Sequence, residues 1–217
     1  MKKRTDIIKE KIEKLISLDS NHKIFGAFSH EYIQNSPLTS EQINEYERTH
    51  NIILPHEYKE FLLDIADGDV GPFYGLYPLL FNDDSVLKLD KEFPFTLEEP
   101  FILSHVYDSI PDDLSDEEEE EYYDKIYSLA DCGHILLATE GCGMYSALIV
   151  NGEEYGNIWF KDLANDAGMF PLTNPKDSKP LGFYDWYELW LDKSIESLVN
   201  NSEGLSSYAD FIEEVNM

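Results

Sequence analysis

The spacing of apolar residues changes near Gly68, and that change limits what this chain can fold into more than any other feature. Before it, Ile7, Ile8, Ile12, Leu15 and Ile16 recur at helical spacing between charged residues, which predicts an amphipathic helix over residues 5–18 that packs on the main body. Thr39 followed by Gln42 is a capping-box pattern and opens a second helix carrying Ile43 and Tyr46 to about residue 51. Pro55 suits the first position of a third. Its apolar face is Tyr58, Phe61, Leu62 and Ile65, and Gly68 stands where a left-handed terminal residue is wanted.

After Gly68, Gly71-Pro72 and Gly75 punctuate short runs such as Phe73-Tyr74 and Leu76-Tyr77, a pattern of strand or bulged loop. Residues 135–138, 145–150 and 156–160 are the strongest strands and are expected to be antiparallel neighbours. Asn151-Gly152 favours a tight turn between the last two, which residues 153–155 would lengthen. Trp186, Leu189, Trp190, Leu191, Ile195 and Leu198 then return to helical spacing over residues 185–200, and a last short helix is expected over residues 207–215. Helices, strands, then helix describe an α+β fold, an antiparallel sheet with helices packed on it. The organisation is an N-terminal helix and connector over residues 1–38, a main domain over 39–201 with an acidic insertion near 112–124, and a short C-terminal helix within 202–217.

Charge bounds the partners. Forty-four acidic against 16 basic side chains leave a net charge of −28, and only Arg4 and Arg48 are arginines. Nucleic-acid affinity comes mainly from Lys and Arg on phosphates, so direct DNA or RNA binding is not expected, and anionic membranes are disfavoured for the same reason. A field of this sign speeds encounter with a basic partner, though it also serves solubility alone. Nine of the thirteen residues 112–124 are acidic, and Ser115 with Glu118 suits a capped helix over 116–129; a solvated surface helix or a partly disordered insertion is the plainer alternative. Cys132 and Cys142 are too few for a disulfide framework and are expected as reduced, buried, small apolar residues. The basic start Lys2-Lys3-Arg4 is broken by Asp6 before any apolar region, and no stretch reaches the ~18 apolar residues of a spanning helix, which predicts a cytoplasmic protein.

No catalytic, cofactor or metal residue emerges. His56-Glu57 is followed by Glu60 where a zinc protease needs a second histidine. Cys132, His134, Glu140 and Cys142 lack compact ligand spacing, and Asp64, Asp67 and Asp69 form an incomplete calcium loop. Nucleophile-elbow, Walker and dinucleotide-binding motifs do not occur. A hydrolase would rest only on abundant carboxylates with His56, His105 and His134.

One series of motifs is more specific. Glu45, Ile52, Leu54-Pro55, Tyr58-Lys59 and Phe61-Leu62 precede Asp67-Gly68, Gly71-Pro72, and Tyr74-Gly75-Leu76. Further on stand Glu140-Gly141-Cys142-Gly143, the Leu148 to Gly152 run, Ile158-Trp159 and Phe183 with Asp185-Trp186-Tyr187-Glu188 and Trp190-Leu191. Together they resemble the SUKH superfamily of Smi/Knr-type cell-wall-assembly regulators and bacterial immunity proteins. The resemblance implies that fold and a non-enzymatic protein-binding domain. It implies a bacterial immunity protein that neutralises a cognate toxin, often a nuclease, and hence a basic toxin domain as partner. A regulatory scaffold of the cell-wall type is the alternative. The candidate partner-binding residues are the acidic run Asp112, Asp113, Asp116, Glu117, Glu118, Glu119, Glu120 and Glu121, together with Asp67, Asp69, Tyr74 and Glu140 on the glycine-rich edge.

Overall fold

Thr39 closes the first turn of its helix as its spacing to Gln42 predicts. Gln42 N donates to Thr39 Oγ1 at 3.2 Å, and Thr39 N donates to Gln42 Oε1 at 2.9 Å. Local hydrogen bonds of this kind are written in local sequence, so the helices fall where periodicity and caps place them. In this computed structural model, which describes residues 2–81, 87–111 and 113–200, they are α1 (Arg4–Leu18), the short α2 (Ala27–His30), α3 (Ser40–His50) and α4 (His56–Asp64). Two expectations need adjusting. Pro55 is the residue before α4 and not its first helical position, and α4 stops at Asp64 with right-handed Ile65 as its cap. Gly68, at φ 88°, lies further on, in the turn that folds back against Pro78.

A five-stranded sheet follows, with strands β1 (Phe101–Ile102), β2 (His134–Gly141), β3 (Met144–Ile149), β4 (Ile158–Asp162) and β5 (Gly168–Pro171). Their order is β1-β5-β4-β3-β2, every pair antiparallel. Side chains alternate between faces. Leu148, Ile158 and Phe160 turn to the main core with Ile8 and Ile12 of α1, Phe61 of α4 and Trp186 and Trp190 of α7 (Phe183–Asn200). Ile149, Trp159 and Met169 turn the other way, where α5 (Leu103–Asp108) and α6 (Asp116–Leu129) cover them with Val106, Tyr107, Ile126 and Tyr127. Helices therefore lie on both faces of the sheet.

β1, β5, α2 and α5 have no counterpart in the periodicity reading, because runs of two to six residues are too short to show a period. The connection from β3 to β4 is indeed longer than a two-residue turn. Cys132 is buried as expected, but Cys142 is exposed and both are free thiols. The reason is the β2–β3 turn: Gly141 pairs with Met144 across Cys142-Gly143, and positive φ is needed at both turn residues. Cys142 adopts φ 52° at the tip, pointing to solvent. A side chain at Gly143 would collide with Ala164 Cβ at 2.5 Å. The helix expected over residues 207–215 lies outside the described residues.

Candidate partner-binding surface

The acidic helix α6 divides cleanly into two stripes. Glu119, Tyr122, Tyr123, Ile126 and Tyr127 share one face and are half-buried, while Glu117, Glu120, Glu121 and Asp124 share the opposite face and are exposed. Its start is capped as the sequence predicts, Glu118 N donating to Ser115 Oγ and Ser115 N donating to Glu118 Oε2 at 2.9 Å. The Ser115 amide, and the Ser115 hydroxyl donating to the same Oε2 at 2.7 Å, hold the Glu118 carboxyl below the usual range. Asp113 and Asp116 are exposed beside the cap, and Asp112 lies outside the described residues.

Hydroxyls and lysines fasten the helix to the body. Tyr107 Oη lies 3.1 Å from Tyr127 Oη and donates to Asp166 Oδ1 at 2.8 Å; Ser109 Oγ lies 3.1 Å from Tyr122 Oη. At the C-terminal end Lys88 Nζ donates to Ser128. Buried Lys161 Nζ donates to Ala130 O at 2.8 Å and to Asp131 Oδ1 at 3.1 Å. The carboxylates of α6 are thus displayed from a docked scaffold.

The second candidate surface is assembled from segments far apart in sequence. Asp69 and Leu76 exchange backbone hydrogen bonds at 2.8 and 2.7 Å, and Tyr77 N donates to Leu137 O at 2.7 Å, which lays the 67–77 segment along the edge of β2. Tyr74 is half-buried. Its ring lies 3.1 Å from where a side chain on Gly141 would begin, so the edge from Asp67 to Gly75 and the 140–143 turn do meet. Asn165 Nδ2 donates to Cys142 O at 3.0 Å, and the neighbouring Asp166 is the residue that holds Tyr107. The two surfaces are joined through this turn.

Two of the acids in that edge face inward. Asp67 is buried, its Oδ1 accepting from Leu79 N at 2.7 Å, and burial raises its pKa. Glu140 is only 3% exposed; Ser146 Oγ donates to its Oε1, and Oε2 has no partner. Burial holds this carboxyl well above the usual carboxylate range. Both side chains are turned away from a partner, whereas Asp69 and Tyr74 remain partly accessible. The sequence pattern carries no signal for this, because a glutamate on a strand reads as outward-facing by default.

The four residues weighed as metal ligands are also dispersed. His134 Nδ1 bonds Cys132 O at 2.9 Å, its Nε2 faces Lys161 Nζ at 3.3 Å, Glu140 bonds Ser146 and Cys142 is at the turn tip. Among the described residues no group of three or more His, Cys, Asp or Glu side chains is arranged to hold a metal ion. No helix among them is long and apolar enough to cross a membrane.

Two buried histidines give the fold a pH dependence. Burial lowers His134 to about 3, helped by Lys161, and lowers His30 to about 4, helped by His22. Each native state refuses a proton that the unfolded chain accepts below its ordinary 6.5, so their stabilisation is full above that pH and is lost as pH falls towards the native values. Glu140, with its pKa raised, has the opposite sign: stability rises as pH falls through its native pKa, so the check is a difference. His30 Nδ1 accepts from Tyr32 N at 3.1 Å, a role the amide oxygen of asparagine can take. Between pH 7.5 and 5.5, His30→Asn is expected to lose about 1 kcal/mol less stability than wild type. Equal shifts of the urea midpoint in both proteins would contradict this.

Residues 37–177 match the SMI1/KNR4 family (SUKH-1), a span that contains α3, α4, both candidate surfaces and the whole sheet. No curated protein and no solved structure matches the chain.

Proposed function

The chain belongs to the SMI1/KNR4 family (SUKH-1), and from that premise we propose that it is a non-enzymatic binding domain that acts in the cytoplasm by capturing a basic toxin domain, as an immunity protein does. The observation that carries this reading is the stripe Glu117, Glu120, Glu121 and Asp124, held outward on a helix whose other face is docked. A stripe of that kind complements the basic surface with which a nuclease grips nucleic acid, and it favours fast, salt-sensitive encounter. The tyrosines behind it supply amphipathic contact area of the type enriched at protein interfaces.

The test takes as partner the toxic domain that this reading expects a neighbouring gene to encode. Reversing Glu117, Glu120 and Glu121 to lysine is expected to leave the fold intact, because all three side chains are exposed. Association with the toxic domain is expected to slow by about tenfold or more at low ionic strength, with a flatter salt dependence and a nearly unchanged dissociation rate. Equal rates and equal salt slopes in both proteins would remove the acidic helix from recognition. Absence of any complex with the wild-type protein would remove the immunity reading itself and favour a regulatory scaffold.

A further inference from the structure

Steering does not hold a complex together, and the fold carries a separate feature suited to holding one. Phe28, on α2, is 64% exposed, and Ile33 nearby in sequence is 53% exposed. Phe28 meets the Tyr74 ring edge-on, centroids 6.2 Å apart at 88°, and Phe25 meets the same ring at 5.5 Å and 63°. A lone exposed phenylalanine is ordinary surface, but Phe28 and Phe25 both touch Tyr74 and form with it a contiguous apolar corner, the kind of exposed patch that marks an interaction site. The corner is also stiff. Val70 N donates to Ile33 O at 2.8 Å, Asn35 Nδ2 donates to Asp67 O at 2.9 Å, and the β2–β3 turn backs Tyr74. A preorganised aromatic corner gives up little conformational freedom when it is filled.

We propose that this corner is the anchor of the binding surface. It takes an aromatic or aliphatic side chain flanked by lysine or arginine on a basic protein partner, and it rests on the protein-binding reading above. The charge around it selects that partner. Glu31 is exposed at the end of α2 and Asp69 borders Tyr74's loop, with Lys23 the basic side chain beside Phe25 in sequence. A hydrogen-bonded run through Cys142, Asn165, Asp166 and Tyr107 then leads to the acidic helix. The other exposed apolar pair, Ile53 and Tyr155, lines an open cleft of about 710 Å³ whose two charged lining residues are already neutralised, Glu47 by Lys59 at 2.6 Å and Arg48 by Glu45 at 2.5 Å. That cleft has no charge preference and so does not share the argument.

The probes are a short lysine-rich peptide carrying one tryptophan and the same peptide with alanine in its place, titrated by fluorescence anisotropy and by amide shifts in NMR. The tryptophan peptide is expected to bind about tenfold tighter and to shift amides in residues 25–33, 68–76 and 141–143. Phe28→Ala and Phe28→Lys, both at an exposed position that the fold tolerates, are expected to abolish that preference. The triple lysine variant of α6 should weaken both peptides alike. Equal affinity of the two peptides for wild type, or a preference that survives Phe28→Lys, would overturn the anchor. A toxic domain that still binds Phe28→Lys with wild-type affinity would overturn the anchor while leaving the protein-binding reading in place.

Discussion

Replacing Trp186 or Trp190 by alanine is expected to lower the unfolding free energy by about 3 to 5 kcal/mol each, the range for deleting a fully packed large side chain. Both are buried, at 0% and 1% exposure, on the broad apolar face of α7. Trp186 packs beside Phe183 at 6.0 Å, and Trp190 lies between Tyr187 at 5.5 Å and His30 at 6.5 Å. Tyr187 Oη in turn donates to Val70 O at 2.8 Å, which ties α7 to the loop that carries Tyr74. The cost therefore comes from a cavity that neighbouring rings, already engaged with each other, cannot close. Trp190→Ala should also loosen α2, since His30 loses the ring it rests on. Both mutants are expected to shift the urea midpoint strongly; under conditions where they stay folded, Trp186→Ala leaves partner affinity unchanged, whereas Trp190→Ala weakens it through the loosened α2 that carries Phe28. Midpoints equal to wild type would mean that α7 does not form the centre of the core.

These tryptophans were legible in the sequence because their spacing is local. So were both capping boxes, in which a serine or threonine and the residue three positions on bond each other directly. What escaped depends on distant pairing. Cys142 reads as a small buried residue until Gly141 pairs with Met144 and turns it outward. Glu140 and Asp67 read as surface acids until Ser146 and Leu79, neither of them a sequence neighbour, draw them in. Phe28 carries no signal at all, because a four-residue helix has no period and its exposure follows only from how α2 meets Tyr74. In α6 the structure also refines the choice of residues. Glu119 belongs to the half-buried tyrosine stripe, which leaves Glu117, Glu120, Glu121 and Asp124 as the charges on the face that can meet a partner.

Lys161→Met is expected to destabilise the protein by about 3 kcal/mol, at the lower end of the cost of breaking a buried charged pair, because Asp131 retains some access to water. The ammonium group has three protons and meets three acceptors: Ala130 O, Asp131 Oδ1 and His134 Nε2, at 2.8, 3.1 and 3.3 Å. His134 Nδ1 donates to Cys132 O, which leaves the Nε2 lone pair free to accept from the lysine. Burial pulls the Lys161 pKa down and Asp131 pulls it back up. Ala130 caps the C-terminal end of α6, where helix carbonyls carry partial negative charge and where the helix itself supplies no basic residue in its last turn. Lys161 therefore neutralises the end of a helix whose other end is crowded with carboxylates, and methionine keeps the volume while removing the donors. Loss of the donors should free α6 before it affects α7. Amides of residues 119–127 are expected to exchange with deuterium faster in Lys161→Met, while those of residues 186–195 keep wild-type protection until global unfolding. If both the urea midpoint and the exchange of α6 are unchanged, Tyr127 and Ile126 hold the acidic helix by packing alone.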